Sequence, residues 1–337
     1  MTLPELLSPV SLTRPDGRLN REAVGWARQP LVTTAGIGRG ARGRGRNKRW
    51  EYWSVITPTH ILALTVSSID YAALHEVWVF DRVSAREWHA NATLIPPRGV
   101  ELPPTLGDGP ARARAKSLQI DIDEIGGATP GTRLRARIAG ASFDVVAELP
   151  PGHERLAVVV PWSETRFQYT VKDVARPASG TLSIEGRTVE LPAGESWAVL
   201  DHGRGRWPYD VRWNWAAGSG RSGGHVIGLQ LGAKWTEGTG STENAVVVDG
   251  TLHYLPDELH WHYDPSDLMR PWRVSGCGLD ATLRPFHDKV TRTNLGVVSS
   301  ATDQCFGVWS GTYAPPHGEP IVFDGVAGWA EEVHNRW

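Results

Sequence analysis

From Trp50 onward the chain is written in short runs of β-branched and aromatic residues, separated by a few turn-forming residues, with almost no apolar repeat at helical spacing. This confines it to the all-β class. The run Ser117–Ile125 alternates cleanly: Leu118, Ile120 and Ile122 face one side, with Ile125 one slip further on, while Asp121 and Asp123 face water. Leu134, Ala136 and Ile138 oppose Arg133, Arg135 and Arg137 in the next run, which turns at the small residues 139–141. Glu185-Gly186 and Asp249-Gly250 each sit between apolar runs as two-residue hairpin turns. The 37 Gly and 24 Pro are spread along the chain, as many tight turns require. About sixteen strands emerge, too many for one eight-stranded barrel and enough for two.

At roughly 150 residues per domain, 337 residues also imply about two domains. The expected division is an irregular segment 1–49, a first barrel over 50–176 and a second over 177–337, with the boundary at the Pro/Ser/Gly cluster Ala175–Gly180. The Gly-Arg alternation of residues 36–49 reads either as a solvated basic connection or as an anion-catching flap. A net charge of −2 and the lack of a reader motif argue against nucleic acid. Cys277 and Cys305 suit a reducing compartment and small buried roles. With no basic-then-apolar leader and no spanning run, the expectation is a soluble cytoplasmic protein without membrane insertion.

Sixteen Trp against 6 Phe and 7 Tyr is an inversion that core building does not require, because indole brings an N–H that must be satisfied. The densest segment is Asp201–Ala216, DHGRGRWPYDVRWNWA. Strand alternation puts Val211, Trp213 and Trp215 on one face and Arg212 and Asn214 on the other, so both faces carry groups that want specific partners. Further on, Lys234, Trp235, Glu243 and Asn244 flank a Gly-rich loop; no helix follows it, which excludes a nucleotide P-loop. Trp50 and Tyr52 follow the basic loop and could line a cavity mouth, whereas Trp78, Trp162, Trp309 and Trp329 sit in core-like patterns. His253, His260 and His262 include an H-x-H pair on one strand face, but nothing in the spacing fixes a third ligand, so no metal is assigned.

The stretches RNKRWEYWSV, SWAVLDHGRGRWPYDVRWNWAAG, IGLQLGAKWTEGTGSTENAVVVDG and VAGWAEEV resemble the bacterial domain of unknown function 2804 family over nearly the whole chain. More distantly, the aspartate-bearing turn followed by paired Trp is similar to the double-lipocalin proteins that include carotenoid 1,2-hydratases and tocopherol cyclase-like enzymes. That second resemblance implies two lipocalin-like antiparallel barrels packed together, with a site in one of them.

Three functions fit these residues. The first is cofactor-independent, acid-catalysed hydration, cyclisation or isomerisation of a small apolar or prenyl-like molecule. Asp201, beside Trp207 and Trp213, would be the proton donor, its pKa raised by a dry pocket in the second barrel; His202 would orient it or position water, Tyr209 would relay protons, and Trp213 and Trp215 would stabilise a cation. The second is a carrier whose Arg204, Arg206, Arg212 and Lys234 clamp an acidic head group while indoles cover an apolar body. The third is carbohydrate processing, with Asp201 and Glu243 as an acid and base pair. The plain alternative is that Asp201 and His202 are satisfied turn residues.

Overall fold

A computed structural model describes residues 3–38, 42–294, 296 and 298–337. Arg39, Gly40 and Ala41 of the Gly-Arg alternation lie outside the described residues. The chain divides into two compact units, Glu5–Trp207 and Pro208–Trp337, the latter grouped with Leu3 and Pro4. Among the described residues the only helical element is the 3-10 turn Arg21–Ala23. Among the described residues no helix is long and apolar enough to cross a membrane.

The N-terminal unit is a curled antiparallel sheet. Its main path runs Glu87–Leu94, Ala73–Asp81, His60–Ser68, Asn47–Ile56, Trp197–Arg206, Phe167–Ile184, Ala141–Glu148, Gly131–Ile138, Leu118–Ile125, Ala111–Arg114 and Val100–Glu101. Alternation builds it as the sequence predicts. Leu118, Ile120, Ile122, Leu134, Ala136 and Ile138 join the apolar core, while the outward Arg112, Arg114 and Arg135 pair with Asp121 and Asp123, and Arg133 with Asp144 at 2.6 Å. Both expected two-residue turns form, with Glu185 and Asp249 each at φ 51° and Gly186 and Gly250 at φ 82° and 85°.

Two expectations change. The cluster Ala175–Gly180 is no boundary: it lies inside the single strand Phe167–Ile184, whose register shifts between Asp173 and Arg176 around Ala175 at φ 58°. A β-bulge, not a linker, explains its small and proline residues. The irregular segment 1–49 does not stand apart from the first unit, since Leu12, Leu19, Ala23, Ala27, Val32 and Ile37 pack with Phe167, Tyr169 and Val171 into a second apolar cluster. Trp272–Gly276 and Leu279–Asn294 form a hairpin turning at Cys277-Gly278, which leaves Cys277 half-buried in a turn while Cys305 is buried.

The C-terminal unit is a second curled antiparallel sheet, ordered Thr251–Tyr254, Ala245–Val248, His225–Ala233, Asp210–Ser222, Ile321–Arg336, Ser299–Tyr313, Leu279–Asn294, Trp272–Gly276 and His260–His262. Its inward face carries Ala216, Leu229, Leu231, Trp272, Leu283, Cys305 and Ala330 as a separate core.

Candidate functional site

The segment 201–216 straddles the division between the units. Asp201, His202, Arg204, Arg206 and Trp207 belong to the first, and Tyr209, Arg212, Trp213, Asn214 and Trp215 to the second. Each unit is therefore considered by itself.

In the first unit, alternation along Trp197–Arg206 sends Asp201, Gly203 and Gly205 to one face, and Leu200, His202, Arg204 and Arg206 to the other. Lys172, Asp201 and Tyr52 stand in one cross-strand row, and Thr170, Gly203 and Trp50 in the next. The Asp201 carboxylate meets Lys172 Nζ at 3.0 Å, accepts from Trp50 Nε1 at 2.9 Å, and accepts from Thr170 Oγ1 at 3.2 Å. All three contacts use it as an acceptor. The side chains of Asp201 and Lys172 are only 13% and 6% exposed. Beside them the Trp50 ring meets Trp207 edge-on at 5.6 Å, and Trp207 tilts against Trp162 at 5.0 Å while donating its N–H to Gln168 at 2.7 Å.

Gly203 is the reason Trp50 can reach Asp201. A Cβ there would lie only 2.1–2.5 Å from three atoms of the indole's six-membered ring, so the ring lies across the strand where a side chain is missing.

The opposite face holds a buried polar array. Arg204 donates to Trp50 O at 2.7 Å, to Gly203 O at 2.9 Å and to Glu51 Oε1 at 3.3 Å, while His202 Nδ1 stands 3.6 Å from the same carboxylate. Burial pushes His202 down to about 4, the Arg204 cation acting in the same direction and Glu51 against it. Burial also pushes Arg204 down to about 10. Glu51 stays below its usual range: burial, the largest influence, opposes this, but His202 and Arg204 outweigh it.

This arrangement revises several expected roles. His202 cannot orient Asp201, because adjacent strand residues point to opposite faces. Arg204 is spent on Glu51 and carbonyls, and Arg206 on Asn47 Oδ1 at 3.0 Å and the carbonyl of Gly17, so neither is a head-group clamp. Lys172 and Thr170, ordinary strand residues by sequence, are the direct partners of Asp201. Only the register reveals them.

In the second unit Tyr209 and Arg212 are exposed. Trp213 donates to Glu331 at 3.0 Å, and Trp215 to Gln230 at 2.9 Å while meeting Trp329 edge-on at 5.1 Å. Trp213 and Trp215 have separate hydrogen-bond partners, and the carboxylate among them is that of Glu331, buried and cross-strand from Trp215. Glu243, expected as a catalytic partner of Asp201, is buried in the other unit and accepts from Trp235 Nε1. Asn244 Oδ1 accepts from Gly232 N at 2.6 Å, fixing the loop as structure. Asn214 and Lys234 instead converge on Tyr263, at 3.3 and 2.9 Å from its hydroxyl. His260 and His262 are exposed, His253 meets the Tyr313 ring edge-on at 5.6 Å, and among the described residues no group of three His, Cys, Asp or Glu side chains is arranged to hold a metal ion.

With both units described, the relatives can be placed. The profile of a family described as domain of unknown function (DUF2804) matches residues 4–337. The chain belongs to that family. No curated protein matches the sequence significantly. Among solved structures, a protein from Nitrosomonas europaea assigned provisionally as ATTH is similar at TM-score 0.52 and 13% identity, over 97% of this chain and 98% of that one. Kievitone hydratase from Nectria haematococca aligns at TM-score 0.49 and 9% identity, over 89% of this chain and 92% of the hydratase. At such identities the likeness is one of fold: this member of the family has the double lipocalin-like architecture.

Proposed function

We propose that the chain is a cofactor-independent enzyme of hydratase or isomerase type acting on a small apolar or amphipathic molecule, with Asp201 and Lys172 handling the protons. The ion pair itself carries this reading. Two charges almost wholly removed from water at 3.0 Å are a weak device for stability, since desolvation offsets much of their attraction. They are a strong device for chemistry beside a flat apolar wall, which Trp50, Trp207 and Trp162 supply.

The contacts of Asp201 select among reactions. A carboxylate that accepts from an ammonium, an indole and a hydroxyl is placed to take a proton, not to protonate an isolated alkene. Addition of water next to a carbonyl fits. Asp201 takes a proton from water as its oxygen bonds to the β-carbon; the electron pair of the double bond moves to the substrate oxygen, where Lys172 stabilises it; the proton then passes to the α-carbon. The reverse elimination and a double-bond shift use the same two groups.

Chalcone, a flat apolar enone, incubated in H2(18)O tests this by mass spectrometry. The native protein should form the labelled hydrate, and Asp201→Asn and Lys172→Met should each lower its rate by about 100-fold or more. Turnover unchanged in Asp201→Asn overturns the proposal. So does saturable chalcone binding that yields no hydrate and survives Asp201→Asn, a result that would make the protein a carrier.

A further inference from the structure

Of the two readings of the Gly-Arg alternation, solvated connection or anion-catching flap, the charges around its last residues favour the second. Lys48 is fully buried, its ammonium 4.9 Å from the Tyr71 ring, and Arg206 is only 5% exposed. One carboxylate, Asp70, acts on both, and its Oδ2 already accepts from Gly45 N at 2.7 Å, Asn47 N at 3.2 Å and Asn47 Nδ2 at 2.8 Å. The other charges acting on them are cations: Arg46 on Lys48, and Arg166 and Arg42 on Arg206. Arg46 acts in the same sense on Arg166. Buried charge of one sign is costly unless an opposite charge approaches. This part of the N-terminal unit therefore favours a bound anion.

A cleft adjoins these cations. Arg206 donates to the carbonyls of Gly17 and Gly36, the latter at 3.5 Å, and both glycines line a cleft of about 460 Å3. Two guanidinium groups and two hydroxyls line it as well, those of Arg14, Arg42, Ser11 and Thr13, and no carboxylate does. Their donors are largely unspent. Arg42 donates to the Pro15 carbonyl, and the rest of its fork has no partner among the described residues. The Arg14 guanidinium has no hydrogen bond there, since its nearest carboxylates, Asp16 and Glu164, stand 3.6 and 3.9 Å away. Those two acids have closer partners: Arg18 N at 2.9 Å for Asp16, and the Arg18 guanidinium at 3.0 Å for Glu164. The Thr13 hydroxyl is also without a partner among the described residues. It lies where Gly36 lacks a side chain, 2.4 Å from the position a Cβ would take.

This donor set selects among anions. A flat carboxylate fills one guanidinium fork, whereas a tetrahedral dianion has further oxygens for a second guanidinium and a hydroxyl, and brings the charge that the surplus of cations calls for. We propose that the cleft binds a phosphate group, held by Arg14, Arg42 and the Thr13 hydroxyl, with Arg206 behind the cleft contributing charge rather than contact.

Calorimetric titration of the full chain at low ionic strength tests this, with inorganic phosphate, phenyl phosphate and benzoate as probes. The expected result is saturable binding of both phosphates and none of benzoate. Tighter binding of phenyl phosphate would identify a phosphate ester as the ligand, and equal affinity would identify free phosphate. Arg14→Gln and Arg42→Gln, both at exposed positions, should each weaken inorganic phosphate about tenfold or more, with Lys172→Met leaving it unchanged. Absence of saturable phosphate binding overturns the proposal. So does benzoate binding as tightly as phosphate, or phosphate binding that is indifferent to Arg14 and Arg42 or lost with Lys172→Met. No residue is shared with the Lys172–Asp201 pair, so failure here leaves the hydratase reading untouched, and its failure leaves this site untouched.

Discussion

Gly203 shows how the absence of one side chain can organise a site. Trp50 crosses the strand at this position, and its N–H ends on Asp201 at 2.9 Å. A methyl group there must displace either the ring or the strand. Gly203→Ala is therefore expected to leave the protein folded, destabilised by about 1–3 kcal/mol, and to change the fluorescence and the indole N–H resonance of Trp50. An unaltered indole resonance would show that the ring is seated by other contacts. Alternation along DHGRGR now has a physical meaning: the glycines make room on the site face for Trp50 and Gln168, and the arginines serve the opposite face. The sequence marks Asp201 as exceptional, but His202 was drawn into the same site although strand geometry separates the two. Tyr263, on which Asn214 and Lys234 converge, carries no local signal among the histidines of its own segment, because its partners are distant in sequence.

At the level of strands, hairpins were the legible part. Glu185-Gly186 and Asp249-Gly250 are local instructions, since few residues accept the backbone that a two-residue turn needs. The bulge at Asp173–Arg176 was misread for the complementary reason: Ala, Pro, Ser and Gly signal a break in regular structure without saying whether the chain ends a domain or bends a strand. What holds the bend is buried. Arg176 donates to Asp173 at 2.8 Å and to the carbonyl of Glu148, while His153 Nε2 stands 2.8 Å from the same carboxylate. Arg176→Met should cost about 3–5 kcal/mol, because it strands a buried carboxylate and a carbonyl. The bidentate pair of Arg133 with Asp144 lies on the wet face, with side chains 45% and 40% exposed, so Arg133→Ala should cost under about 1 kcal/mol. Urea unfolding of the two variants decides the matter; similar losses would mean that the bulge is held by its backbone alone.

Over the whole molecule, the class of fold was readable because period-two patterning runs through both units and each owns an apolar core. Where the chain divides was not readable, because Trp207–Pro208 looks like any other turn between extended runs. The buried polar groups give the molecule a specific response to acid. His75 and His202 are both held neutral inside the N-terminal unit: burial alone pushes His75 down to about 4, and burial aided by Arg204 does the same to His202. In the unfolded chain both titrate near their ordinary value of about 6.5. Below that pH the unfolded chain takes up protons that the folded chain refuses, so stability that is complete above about 6.5 drains away as pH falls toward 4. For His75 the loss amounts to about 3 kcal/mol. The buried carboxylates Glu51 and Asp173 are held below their ordinary range, so the stability they contribute is lost only at lower pH; between 6.5 and about 4.5 His60, which burial also lowers, adds to the loss, and Glu124, which burial raises, opposes it. The urea midpoint should fall between pH 7 and pH 4.5, and His75→Leu, an apolar side chain in an apolar setting, should flatten that fall by removing one of the protons responsible. A midpoint that stays level across this interval, or a fall that His75→Leu leaves just as steep, would mean that His75 takes up its proton within the fold and that its place in the core is solvated.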